Sequence, residues 1–169
     1  MITCALVLLQ GCGAQSGPAA ERTFQLSSGG RVTVERTVDH GIEAEKVYEY
    51  DQQGQQIAVS WCPQSIASYD QLVSFFGRFQ TALSTRNKAA VARLIRYPLA
   101  VNGGASESIK SAAMLVQQYE RVFPPALTRQ ILRADVHAVF CTGYGVMISN
   151  GAVWATASDG RLAIDVVNR

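Results

Sequence analysis

Two short turn motifs near the C-terminus constrain the fold of this chain most strongly. Asn150-Gly151 and Asp159-Gly160 each separate runs of apolar and β-branched residues. Asn-Gly and Asp-Gly favour the type I′ turns that join adjacent antiparallel strands. The flanking runs predict strands at 136–142, 144–149, 152–157 and 161–167. We therefore expect the last third of the chain to form an antiparallel meander.

A helical pattern precedes this meander. Ser68 suits an N-cap position, and Gln71 three residues later completes a capping box. The apolar residues that follow have helical spacing and predict one buried stripe: Leu72, Phe75, Phe76, Phe79 and Leu83. Asn87 offers a second cap for a shorter helix that Pro98 ends. Residues 99–101 then predict a short strand.

A third helix is predicted from Ser111 to Phe123, before Pro124-Pro125. Residues 21–62 contain four short, alternating segments that predict a β-rich extension, packed on the main domain or separate from it. Helices followed by an antiparallel sheet indicate the α+β class. We expect three helices packed on one face of a curved antiparallel sheet in residues 63–169, preceded by the small β-rich extension.

The order of these motifs resembles the nuclear transport factor two-like cone fold. The resemblance covers about Tyr69 to Asn168 and includes Tyr97-Pro98-Leu99, Gly145-Val146-Met147-Ile148 and Gly151-Ala152-Val153-Trp154. It implies a cone-shaped domain with a pocket between the sheet and the long helix. The fold hosts isomerases, dehydratases and non-catalytic binding domains, so it does not specify an activity.

The N-terminus resembles a bacterial lipoprotein signal. A short apolar run leads into Leu9-Gln10-Gly11-Cys12, similar to a lipobox, and is too short to span a bilayer. The resemblance implies a signal peptide at 1–11, acylation of Cys12 and a tether at 12–20. It also implies an outer-membrane lipoprotein that faces the periplasm. An ordinary cleaved signal or a buried apolar N-terminus is the alternative.

Two cysteines remain in the predicted mature chain besides Cys12. Cys62 and Cys141 could pair in an oxidising compartment such as the periplasm. They could equally be two separate buried thiols. The sequence leaves both alternatives open, because it does not show whether the two residues meet.

Few residues suggest chemistry. Asp135 and His137 lie two apart on a predicted strand and would share a face, where His137 could act as a general base. Exposed polar residues at a strand edge show the same pattern. Four aromatic side chains could line a pocket mouth for a ligand or partner, or fill the core: Tyr97, Tyr119, Tyr144 and Trp154.

Composition excludes several classes of function. The net charge of +2 and the absence of a basic run argue against nucleic-acid binding. His40 and His137 lie far apart and no ligand pair has zinc spacing, so we expect no metal site. No phosphate-binding loop accompanies Gly143-Tyr144-Gly145, and we expect no cofactor.

Basic residues around the first two helices predict either a solvated face or a surface that docks an acidic partner protein or anionic envelope material: Arg78, Arg86, Lys88, Arg93 and Arg96.

The implied lipid anchor, the small size and the absence of a catalytic constellation in the sequence lead us to expect a non-catalytic envelope lipoprotein that binds a protein partner. One example is an immunity protein against a toxin that acts in the cell envelope. The alternatives are a carrier of a small apolar ligand and an enzyme of the isomerase or dehydratase kind.

Overall fold

A computed structural model describes residues 21–104 and 107–169. The predicted signal peptide at 1–11, the tether at 12–20 and the acylated Cys12 lie outside the described residues.

The β-rich segment forms a four-stranded antiparallel sheet in the order β1-β2-β3-β4. Its strands are β1 (Arg22–Gln25), β2 (Arg31–Asp39), β3 (Ile42–Tyr50) and β4 (Gln56–Pro63). Strand alternation directs one face toward the core. That face contributes apolar side chains to the hydrophobic cluster that the helices also enter: Phe24, Val32, Val34, Val47 and Cys62. The extension therefore packs on the rest of the described chain.

Five helices follow the first sheet or lie between strands of the second. They are α1 (Tyr69–Ser84), α2 (Lys88–Arg93), α3 (Ala112–Gln117), α4 (Tyr119–Val122) and α5 (Pro125–Arg133). The predicted capping box of Ser68 and Gln71 is confirmed at the start of α1. The predicted cap of Asn87 on α2 is confirmed as well, because its side chain accepts from Ala90 N–H. The apolar stripe of α1 is buried.

The predicted third helix is divided into two. Gln118 is the C-cap of α3 and the N-cap of α4, with φ of −104° and ψ of 17°. Leu115 on one side of the break and Tyr119 on the other are both buried. The apolar spacing is helical across the break, so periodicity alone does not reveal it.

The second sheet has six strands in the order β6-β5-β10-β9-β8-β7. They are β5 (Ile95–Asn102), β6 (Glu107–Ile109), β7 (Phe140–Thr142), β8 (Gly145–Ile148), β9 (Val153–Ser158) and β10 (Arg161–Asn168). β5 and β10 pair in parallel, so the sheet is mixed. Pro98 lies where this pairing is irregular, between Ile95 and Ala100, and there its missing N–H interrupts no ladder bond.

The prediction of three helices on one curved antiparallel sheet is wrong. The class is α+β, but the described chain has five helices and two sheets. The first reason is that β5 begins at Ile95, earlier than predicted, and lies parallel to the last strand. The second is that strands β1 to β4 form a sheet of their own. The expected cone architecture is therefore not the fold of this chain.

The two turn motifs differ in detail. Asp159 and Gly160 have φ of +53° and +69° and form a two-residue connection between the paired residues Ser158 and Arg161. Asn150-Gly151 lies within a longer turn at 149–152, in which Ser149 also has a positive φ of +58°. Both motifs therefore reverse the chain, but only Asp159-Gly160 forms the predicted two-residue hairpin.

A disulfide joins the two sheets. Cys62 of β4 and Cys141 of β7 are bonded, with a sequence separation of 79 residues. Both side chains are buried. Closing a loop of this length in the unfolded chain contributes about 4.5 kcal/mol in the chain-entropy estimate.

A buried carboxylate connects the first sheet with α1. Glu45 is only 1% exposed. One carboxylate oxygen accepts from the backbone N–H of Tyr69 at 2.5 Å, and the other accepts from Arg22 at 2.8 Å. Arg22 also donates to both oxygens of Asp70 at 2.7 Å. The negative charges lie at the N-terminus of α1, where the helix dipole favours them.

We expect Glu45→Ala to lower the free energy of unfolding by about 1.5–3 kcal/mol, since it leaves the Tyr69 N–H unpaired and leaves Arg22 with only the exposed Asp70 as a partner. Urea unfolding would measure this loss. Glu43→Ala, an exposed position on the same strand, is the matched control and should change stability little. A loss below about 1 kcal/mol for Glu45→Ala would contradict this role.

Candidate functional site

A cleft of about 620 Å³ lies between α1, the α2–β5 junction and the β9–β10 turn. Its apolar floor consists of Ile66, Ala67, Phe75, Leu94 and Leu162. Three arginines lie at its rim: Arg78, Arg93 and Arg161. We call this cleft, with its three arginines, the basic cleft.

Local structure explains how each arginine reaches the rim. Arg78 lies on the exposed side of α1, where its guanidinium donates to Ser74 Oγ at 2.9 Å. Arg93 ends α2, a position at which the helix dipole favours a positive charge. Arg161 follows the β9–β10 turn and donates to the Arg93 carbonyl oxygen at 3.2 Å. This last contact holds the Arg161 side chain against the end of α2, where Arg93 lies.

These charges are not balanced locally. Within residues 21–104 and 107–169, no carboxylate lies within 4.0 Å of the side-chain nitrogens of Arg78, Arg93 or Arg161. Asp70 also lines the cleft, but Arg22 holds both of its oxygens. The cleft therefore combines uncompensated positive charge with an apolar floor, an arrangement that suits an anionic ligand or segment with apolar side chains.

Asp135 and His137 lie in a turn after α5, and the strand begins only at Phe140. The prediction that they share a strand face is therefore wrong. Asp135 accepts from the backbone N–H groups of Ser27 and His137, at 2.8 and 2.9 Å. Burial by itself raises the pKa of Asp135, but these hydrogen bonds outweigh it and lower the pKa.

His137 is part of a packed contact between the sheets. Its ring stacks on Phe24 at 4.4 Å between centroids, and its Nδ1 lies 3.2 Å from the Tyr69 hydroxyl. That hydroxyl donates to the His137 carbonyl oxygen at 2.9 Å. Because the hydroxyl has only one proton to donate, it can only accept a hydrogen bond from the His137 ring, so the proton lies on Nδ1. Both Asp135 and His137 thus have structural contacts that account for their positions.

A second cleft, of about 380 Å³, contains a carboxylate that the sequence did not single out. Glu49 and Asp135 line it together with apolar residues of both sheets. Burial raises the pKa of Glu49, and the negative charge of Asp135 raises it further. Glu49 lies on an alternating strand whose pattern is that of any half-buried sheet, so no local pattern distinguishes it.

The four aromatic candidates lie in separate places. Tyr97 packs against the core and donates to the Ala92 carbonyl oxygen at 3.2 Å, and burial raises its pKa. Tyr119 is buried in α4, whereas Tyr144 is 92% exposed in the β7–β8 turn. Trp154 lies on β9, paired with Met147 of β8. None of the four lines the basic cleft.

The described residues lack both a metal-binding cluster and a membrane-spanning helix. Residues 21–104 and 107–169 contain no group of three or more His, Cys, Asp or Glu side chains arranged to hold a metal ion. No helix in the same part of the chain is both long enough and apolar enough to cross a membrane.

No protein-family model, curated protein or solved structure matches this chain. Its function is therefore inferred from its own side chains.

The lowered pKa of Asp135 predicts a pH dependence of stability. The folded chain binds this proton less readily than the unfolded chain, where the pKa is about 3.9. Asp135 thus stabilises the fold above about pH 4, and this contribution is lost as the pH falls through the lower folded-state pKa.

Asp135→Asn should therefore lower the free energy of unfolding at neutral pH. Between about pH 5 and pH 2, the free energy of unfolding should also fall less steeply with decreasing pH than in the unaltered chain. Urea unfolding across this range would measure both effects. Asp159→Asn, in an exposed turn, is the isosteric control. An unchanged acid slope in Asp135→Asn would show that the Ser27 and His137 hydrogen bonds do not hold in solution.

Proposed function

We propose that this chain is a non-catalytic lipoprotein of the bacterial cell envelope that binds an acidic protein partner through the basic cleft. The observation that carries the proposal is a set of three arginines around an apolar floor, none of which has a carboxylate within 4.0 Å in the described part of the chain. An acidic segment with apolar side chains matches both properties. Charge complementarity of this kind steers association and selects the partner.

The location of the protein is part of the same proposal. The Leu9-Gln10-Gly11-Cys12 motif supports a lipid anchor on Cys12, and the sorting that the motif implies is to the outer membrane, facing the periplasm. The Cys62–Cys141 disulfide favours an oxidising compartment such as the periplasm. An immunity protein that blocks an envelope-acting toxin is one partner-binding role that fits this location.

The binding proposal predicts that reversing the cleft charges weakens capture of the partner. Full-length tagged chain would be purified from detergent-solubilised bacterial envelopes, and co-purifying proteins quantified by mass spectrometry. We expect Arg78→Glu/Arg93→Glu/Arg161→Glu to reduce recovery of the partner by at least about tenfold, a change of about 1.4 kcal/mol. High salt should weaken capture by the unaltered chain, because it screens exposed charges.

A matched control changes the same number of exposed charges elsewhere: Arg36→Glu/Lys110→Glu/Arg133→Glu. This variant should retain the partner. Equal losses in the two variants would assign the effect to net charge and reject the basic cleft. Failure of the unaltered chain to retain any protein at comparable stoichiometry would reject the partner-binding function.

The anchoring proposal has an independent test. Cys12→Ser removes the thiol that would carry the lipid, so we expect the protein to move from the membrane fraction to the soluble periplasmic fraction. Fractionation and metabolic labelling with a fatty-acid analogue would measure both properties. Cys4→Ser, upstream of the motif, is the control and should remain labelled. Labelling that persists in Cys12→Ser would contradict the assignment.

A further inference from the structure

A pocket of about 280 Å³ lies at the other end of α1, between its C-terminus and helices α4 and α5. Leu83, Tyr119 and Phe123 contribute its apolar part, and Arg86 and Arg129 contribute positive charge. None of these residues lines the basic cleft. The pocket is therefore a separate feature of the surface.

Tyr119 has an unusual position in this pocket. Its side chain is only 4% exposed, and its ring lies 5.5 Å from that of Phe123. Lys88 Nζ lies 5.1 Å from the ring centroid. The hydroxyl is shielded from solvent and has no hydrogen-bond partner in the described parts of the chain. Because a buried, unpaired hydroxyl is unfavourable, it needs an acceptor from outside these residues.

The other hydroxyl groups of the pocket are already used. Ser84 donates to the Thr81 carbonyl oxygen at 3.0 Å. Thr128 donates to the Phe123 carbonyl oxygen at 3.1 Å. Tyr119 therefore remains as the free donor among the hydroxyls that line the pocket. Burial raises its pKa to about 12, so the hydroxyl keeps its proton at neutral pH.

The charges around the pocket favour an anion. Arg86 and Arg129 are exposed, and neither has a carboxylate within 4.0 Å among the residues that the structure describes. Glu120 also lines the pocket, but Lys88 pairs with it at 3.6 Å. After burial, the negative charge of Glu120 raises the pKa of the Tyr119 hydroxyl further, and the positive charge of Arg86 lowers it by less. The pocket therefore offers two guanidinium groups and one hydroxyl donor.

The end of α1 places Arg86 at the pocket. Arg86 has φ of +50° immediately after the C-cap of α1. This is the left-handed conformation that commonly ends a helix, and the Asn87 N–H accordingly donates to the Ala82 carbonyl oxygen at 2.9 Å. The residue that ends the helix in this way is an arginine that lines the pocket.

We infer that this pocket binds a small molecule through its carboxylate or phosphate group, with Arg86 and Arg129 at the mouth and Tyr119 as the buried donor. Guanidinium groups bind both kinds of anion through paired hydrogen bonds. In the bound state the Tyr119 hydroxyl donates to the anion and so gains the acceptor that it lacks. This inference is independent of the basic cleft and of the proposed protein partner.

Purified full-length chain in a non-ionic detergent would be titrated with inorganic phosphate and, separately, with succinate at constant ionic strength. Isothermal titration calorimetry would measure the affinity, and thermal unfolding would give a second readout. We expect one of the two probes to bind with a Kd of about 1 mM or lower and to raise the midpoint of unfolding. The probe that binds more tightly would identify the anionic group.

Tyr119→Phe removes only the hydroxyl and should weaken binding by about tenfold. Arg86→Gln/Arg129→Gln should abolish it. Tyr144→Phe and Arg36→Gln/Arg133→Gln are the matched controls and should bind as the unaltered chain does. Two results would overturn the inference: no binding of either probe at about 10 mM, or unchanged affinity in Tyr119→Phe.

Discussion

A carboxylate that is removed from water must find positive charge and hydrogen-bond donors within the fold. Glu45 finds both where the first sheet meets α1, in Arg22 and in the backbone N–H of Tyr69. These contacts fix the start of the long helix relative to strands β1 and β3. The direction of α1 in turn decides that Phe79 enters the core and that Arg78 faces the basic cleft.

A disulfide, a hydrogen bond and a stacked pair of rings hold the second sheet and the segment before it against the first sheet. The Cys62–Cys141 disulfide joins β4 to β7 covalently. Asp135 accepts a hydrogen bond from Ser27, and the ring of His137 stacks on Phe24. Asp135 and His137, the residue types most often associated with acid–base chemistry, are thus engaged in holding the segment before β7 against the first sheet. Their polar atoms satisfy neighbouring backbone and side-chain groups.

Arginines from α1 and its C-terminal end line two separate pockets along the helix. At the N-terminal end, Arg22 has two carboxylate partners. Among the residues that the structure describes, neither Arg78 in the middle of the helix nor Arg86 just beyond its C-terminal end has a carboxylate within 4.0 Å. Positive charge left without a local partner attracts anions from solution. The proposed partner-binding cleft and the proposed anion pocket therefore lie along one helix, but they use different side chains.

The sequence by itself determined the features that depend on neighbouring residues. The Ser68 cap, the apolar stripe of α1 and the Asp159-Gly160 hairpin each involve a few consecutive positions with strong local preferences. Only the tertiary structure decided the parallel pairing of β5 with β10, the break at Gln118 and the meeting of Arg161 with the Arg93 carbonyl. These contacts join segments far apart in the chain or depend on packing around them, so no local pattern specifies them.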